Sequence, residues 1–262
     1  MLTLALLAQI ALMTVVPLAV MVIARRRLGT MWSLLVFGFL TFVISQAVRW
    51  PFLWLVARTT GGAAYSPEVL AWLPAINIAV LCLTSGLFEE GARYLGYRLA
   101  LPGARRWQDG VTYGLGHGGC EAILLGALVV STFIAMLPLK GATLASLPRG
   151  LDASTKAMVL QQVQSYWGMP AHLPLLGGME RLSAMCFHVA MALLVLRAVR
   201  TARVSLLLLA MALHAGLNGA AVLASRLAGP VAAELLLALV AGICVWGSLQ
   251  ARPSWAAPAE RK

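Results

Sequence analysis

An all-α bundle of membrane-crossing helices is what this chain predicts, and three observations carry that expectation. Of 262 residues, 61% are hydrophobic and only 11% charged, against roughly 25% charged residues in an ordinary soluble domain. Apolar runs of about 20 residues, the number that carries a helix across ~30 Å of hydrocarbon, recur along the whole length. The Lys and Arg residues fall in short clusters between those runs, where they set topology. The net charge of +11 therefore does not mark a nucleic-acid partner. The lipid bilayer is the partner that the composition demands.

Seven spans are expected, near residues 2–24, 31–56, 68–99, 109–136, 175–197, 204–225 and 230–250. They form one transmembrane domain over 1–251, with the chemistry-bearing motifs in 80–225 and a short cytoplasmic tail over 252–262. The first span lacks a basic segment before it and is followed by Arg25, Arg26 and Arg27, the reverse of a secretory signal. It should stay in the membrane with its N-terminus outside. The next connections alternate as short loops should when basic residues are retained on the cytoplasmic side. Inside lie Arg25, Arg26, Arg27, Arg98, Arg105, Arg106, Arg197, Arg200, Arg203, Arg252, Arg261 and Lys262, twelve in all. Outside lie half as many, namely Arg49, Arg58, Lys140, Arg149, Lys156 and Arg226.

The one long connection, residues 137–174, holds a stretch from Ser154 to Trp167 in which Val159, Val163 and Tyr166 recur at helical spacing. That pattern predicts a helix lying on the surface. The tail from Arg252, with Pro253 and Pro258, reads as disordered. Cys82, Cys120, Cys186 and Cys244 stand singly in apolar runs, without the spacing of a metal or disulfide motif, and read as packing residues.

Against this background stand Glu89, Glu90 and Arg93 in the third span, His117 and Glu121 in the fourth, Glu180, Arg181 and His188 in the fifth, and His214 and Asn218 in the sixth. An ionisable group at membrane depth costs on the order of 2.5–3.5 kcal/mol on insertion scales, so such residues are functional by default. Counted from the basic residues or Asp109 at the cytoplasmic ends, Glu89, His117, His188 and His214 lie nine, eight, nine and eleven positions inward, or about 12–17 Å at 1.5 Å per residue. Four helices thus bring them to one level, which predicts a shared polar cavity in the cytoplasmic half. The pairs Glu89 and Arg93, His117 and Glu121, and His214 and Asn218 are each four apart and share a helix face. Glycines 114, 116, 118 and 119 around His117 permit close helix approach or a local break. Glu180 and Arg181, nearer the outer half, read as a packing ion pair.

The pattern Glu89-Glu90-x-x-Arg93, Tyr113-x-x-x-His117, His188 and His214-x-x-x-Asn218 resembles the CAAX prenyl protease and bacteriocin-processing family of intramembrane proteases. The stretches Gly86 to Gly96 and Gly114 to Ile123 look more specifically like the YhfC-like membrane peptidases of bacteria. The broader family usually spaces its arginine one residue further from the double glutamate, and in its prenyl protease branch Glu121 has no assigned role. The resemblance implies that Glu89 and His117 polarise a water while His214 and Asn218 stabilise an oxyanion. The candidate catalytic set is then Glu89, Glu90, His117, His214 and Asn218, supported by Arg93, Glu121 and His188. The residue types suit the chemistry on their own account, because peptide hydrolysis needs a base within about 3 Å of a water and donors aimed at the developing charge. Equally, Glu89, His117, His188 and His214 are the ligand types that hold Zn²⁺.

The leading functional expectation is an intramembrane endopeptidase of a bacterial membrane, cleaving a membrane-associated peptide or protein near the cytoplasmic face. Glu and His chains across helices also build proton relays, so a proton-coupled transporter or channel is the alternative, and a non-catalytic scaffold or immunity-type protein the third. Substrate identity and oligomeric state are not legible in the sequence.

Overall fold

The computed structural model describes residues 1–61 and 66–255. Among them every regular element is helical: α1 (Leu2–Met13), α2 (Val15–Leu28), α3 (Trp32–Thr60), α4 (Pro67–Leu95), α5 (Trp107–Met136), α6 (Ala153–Trp167), α7 (His172–Thr201), α8 (Val204–Ala228) and α9 (Pro230–Ala251), with short π and 3₁₀ segments at Gly96–Ala100 and Arg252–Trp255. Seven of these stretches are long and apolar enough to cross a bilayer, α1 and α2 together making the first. The chain is an integral membrane protein built as a helical bundle. We call the face carrying Arg25–Arg27, Arg98, Arg105, Arg106 and Arg197–Arg203 the basic end, and the face of the connection 137–171 the far end.

The helices run longer than the apolar runs predict because polar residues continue their last turns. In α2 the three arginines occupy the final turn, where Gly29 closes the helix in the left-handed region (φ 62°); cations are favoured there by the exposed carbonyls. At α5 the carboxylate of Asp109 accepts hydrogen bonds from the backbone N–H of Arg105 (3.1 Å) and Arg106 (2.9 Å) and pairs with the Arg106 side chain (2.8 Å). The first span breaks once, at Thr14 (φ −122°, ψ −62°). Pro17 explains the break, since it has no N–H to give to Met13 and its ring collides with that carbonyl.

Six helices, α3, α4, α8, α9, α7 and α5, follow one another around a ring. At the basic end the ring is filled by Leu34, Tyr97, Leu101, Tyr113, Met191, Val195 and Leu196 among others. Tyr97 and Tyr113 are wholly buried with ring centres 4.2 Å apart. Close approach of α3, α5 and α7 depends on small residues. A Cβ on Gly116 would stand 2.4 Å from the Leu35 carbonyl oxygen, and one on Gly114 would stand 2.6 Å from Val189 Cα. The glycines around His117 therefore serve close packing, and α5 passes through them unbroken.

Helix α6 lies where the surface-helix pattern predicts. Asp152 caps it by accepting from Thr155 N (2.9 Å), Val163 is buried, and Trp167 donates from Nε1 to the Met136 carbonyl (3.1 Å). At the other terminus Arg252–Trp255 is ordered as a 3₁₀ turn, because Arg200 stacks over Trp255 (4.7 Å) and Arg252 over Trp107 (5.4 Å). The remainder of the tail expected to be disordered, residues 256–262, lies outside the described residues.

Candidate active site

The four residues that sequence spacing places at one level do meet. The ligand-type atoms of Glu89, His117 and His188 lie within 4.8 Å of one another, and all three residues are buried. His117 Nε2 is 3.3 Å and His214 Nε2 3.8 Å from Glu89 Oε2. Ring centres of His188 lie 5.2 Å from those of His117 and 5.5 Å from those of His214.

In the tautomers that donate outward, hydrogen bonds on the outer side of each imidazole leave the inward nitrogen its lone pair; with no cation between them, His117 Nε2 can instead donate to Glu89 Oε2 (3.3 Å). Thr41 gives its own hydroxyl proton to the Gly38 carbonyl (2.9 Å) and receives one from Tyr113 OH (2.8 Å). Its oxygen is thus left to accept from His117 Nδ1–H (3.3 Å). Glu90 accepts from His214 Nδ1–H (2.6 Å), and Glu121 accepts from His188 Nε2–H (2.6 Å). The inward nitrogens, His117 Nε2, His214 Nε2 and His188 Nδ1, then carry lone pairs. Arg93 Nη2 donates to His188 Nδ1 at 2.5 Å and is 4.0 Å from Glu89 Oε2; the other two lone pairs face the Glu89 carboxylate. Acceptors converging in a buried space repel one another unless a proton or metal cation lies between them. Outward hydrogen bonds of this kind, carboxylate to imidazole above all, are what orient histidine ligands in metal sites. By donor type, burial and tautomer the residues fit a metal.

Arg93, wholly buried, pairs with Glu90 and so links the carboxylates. Glu90 keeps one buried oxygen without a partner among the described residues. Glu180 and Arg181, expected to be a packing pair apart from the cluster, belong to its wall. Arg181 pairs with Glu180 and also donates to Glu121 (2.7 Å). Asn218, one turn along α8 from His214, donates from Nδ2 to Ser85 Oγ (2.7 Å).

A cavity of about 610 Å³ begins at Glu89, His188 and His214, and the rest of its wall includes Gln46, Arg49, Leu128, Arg181 and Asn218. On every helix those residues lie on the far-end side of the cluster. The sequence reading places a shared polar cavity in the cytoplasmic half and says nothing of where it opens. The tyrosine-lined core closes the basic end, and from the cluster the space leads towards the far end.

Three residues of the site escape the sequence reading. Gln46 Nε2 donates to Glu89 Oε1 (3.1 Å) and Thr41 is the partner of His117 Nδ1, yet a Gln or Thr in an apolar helix carries no signal beyond packing. Arg49 falls inside the predicted span 31–56 but is counted there with the outer basic residues; it lies in α3, one turn beyond Gln46, and lines the cavity.

Buried carboxylates and imidazoles converging beneath a cavity within membrane-spanning helices define a polytopic membrane protein with a buried polar centre. The model of the YhfC intramembrane metalloprotease family matches residues 12–241, and the chain belongs to that family. It is 30% identical over 246 residues to a Bacillus subtilis (strain 168) protein described as "Uncharacterized membrane protein YhfC", with 92% of this chain and 93% of the relative covered. No solved structure matches the chain significantly.

Proposed function

We propose that the protein is an intramembrane metallopeptidase that hydrolyses a peptide bond of a membrane-associated substrate in the far-end cavity. The observation that carries this reading is the convergence of His117 Nε2 and His214 Nε2 on the Glu89 carboxylate, with His188 Nδ1 close by. Family membership agrees with it. The inward ring nitrogens of His117 and His214, joined by His188 Nδ1 when Arg93 Nη2 releases it, would hold the cation, which when bound lowers the pKa of a water towards 7.

The chain's own groups supply the rest. Glu89, held by Gln46 through Oε1, takes the proton of the attacking water on Oε2 and returns it to the leaving amine. Thr41, Glu90 and Glu121 keep the imidazoles in their tautomers. Asn218 retains an amide N–H beyond the one given to Ser85 and donates it to the oxyanion; a single such donor is worth about 3–4 kcal/mol in the transition state. Arg93 keeps Glu90 ionised as the partner of His214. A relay across the membrane finds no support in the cavity, which stops at the tyrosine floor.

The test is purification of wild type and Glu89→Gln, element analysis of both, and cleavage of a membrane peptide library in proteoliposomes. Wild type should bind close to one equivalent of a divalent metal and cleave. Glu89→Gln should lose at least ~100-fold in rate with an unchanged melting temperature. Full cleavage by Glu89→Gln removes Glu89 as the base, and activity retained after complete chelation removes the metal.

A further inference from the structure

Arg49 is a cation inside a membrane-spanning helix with no carboxylate in ion-pair contact among the described residues; Glu89 feels its charge only from beyond Gln46. The Arg49 side chain donates from Nε to Thr84 Oγ1 (3.2 Å), from Nη1 to Gln46 Oε1 (3.3 Å) and from Nη2 to the Leu81 carbonyl (2.8 Å). Every one of those acceptors is neutral. The contrast with its neighbours is sharp, since Arg93 pairs with Glu90 and Arg181 with Glu121 and Glu180. Intramembrane arginines are normally neutralised or turned out to the interface. Here Thr84 and Leu81 draw the guanidinium towards α4, into the cavity wall.

A guanidinium has five N–H bonds. Three are used, which leaves one on each terminal nitrogen. Two N–H bonds on adjacent nitrogens of a rigid plane match the two oxygens of a carboxylate. The neutral tethers also hold the fork in place, so that little side-chain freedom is lost on binding. Thr84 precedes Glu89 by five residues on α4, or about 8 Å along the axis, the length of two to three residues of extended peptide.

We infer that Arg49 is a specificity residue that binds a carboxylate of the substrate, two to three residues from the bond cleaved at Glu89. The inference rests on the peptidase reading for the second half of that statement, while the carboxylate site stands without it. A phosphate can take the same bidentate fork, but it would bring a further negative charge into a wall that already holds Glu89, Glu121 and Glu180. The singly charged carboxylate is therefore the ligand that the charge balance favours.

Binding without turnover separates the two readings. Full-length protein in phosphatidylcholine nanodiscs is titrated with N-lauroylglycine, N-lauroylglycinamide and lauryl phosphate, for wild type, Glu89→Gln, Arg49→Lys and Arg49→Gln. Wild type and Glu89→Gln should both bind the acid at least tenfold more tightly than the amide. Arg49→Lys should keep part of that preference and Arg49→Gln none, whereas a purely structural clamp between α3 and α4 would lower the melting temperature and leave the preference intact. Should Arg49→Gln fail to fold, phenylglyoxal modification of Arg49 in wild type, read by mass spectrometry, must be slowed by the acid and not by the amide. Equal binding of acid and amide, preference for lauryl phosphate, or an undiminished preference in Arg49→Gln would each overturn the assignment. Loss of hydrolysis in Glu89→Gln with the acid preference retained leaves the Arg49 site standing, whatever becomes of the peptidase.

Discussion

Thr41 shows how much of the centre depends on residues with no charge of their own. It sits between Tyr113 and His117, and its only free role is to accept the imidazole N–H. Thr41→Val keeps the shape and removes that acceptor, which releases the ring and its tautomer. Loss of an outer partner of this kind typically costs 10–100-fold in metal affinity or activity, so Thr41→Val should show that loss with a melting temperature close to wild type, measured by metal titration and cleavage together. An unchanged metal affinity would mean that the tautomer is set elsewhere. The ionisable members of the site were legible in sequence because charges are rare at membrane depth. Thr41 and Gln46 were not, since a hydroxyl or amide in a membrane helix is as often packing glue, and only the partner across the helix interface gives it a role. Arg49 was hidden differently: it falls inside the predicted span 31–56, but near the outer end of that span an arginine reads as a charge that sets topology and not as part of a site.

Among the elements, α5 positions the site, pressed on one side against α3 and on the other against α7. Gly116 meets the Leu35 backbone, which has no flexible end to move aside. Gly116→Val should push α3 off α5 and separate Thr41 from His117, with a loss of about 1–3 kcal/mol for the overpacking and little activity left. Gly219, by contrast, has open space where a Cβ would go. Gly219→Ala should hold or raise stability, by up to ~1 kcal/mol from helix propensity. Thermal unfolding of the two variants in the same detergent checks the pair, and equal destabilisation would refute the packing account. The helices themselves were readable from apolar runs and from the i,i+4 pairing of polar residues, and counting from the basic ends placed four side chains at the correct level. Counting along a helix gives height and not azimuth, however. The direction of the cavity is set by small or apolar wall residues such as Ser85, Ser183 and Ala184, which look no different from lipid-facing ones.

For the molecule as a whole, the division of basic residues, which becomes twelve to five once Arg49 is counted inside α3, still favours a cytoplasmic basic end. Thr155→Cys on α6 and Ser183→Cys in the cavity wall should then both react with an impermeant thiol reagent added to intact cells, the first quickly and the second more slowly, provided Cys82, Cys120, Cys186 and Cys244 are replaced by Ala. Reaction of Ser183→Cys only from the cytoplasmic side would contradict the one-ended cavity. The tyrosine floor also has an electrical meaning. If water fills the cavity down to Glu89, most of the membrane voltage falls across the thin layer of Tyr97, Tyr113 and Leu196 instead of across the full bilayer, where a unit charge crossing it works against about 2.3 kcal/mol per 100 mV. Glu89 and Glu121 then exchange protons with one bath alone, and acidifying the far compartment alters their occupancy while the same change on the other side leaves it untouched.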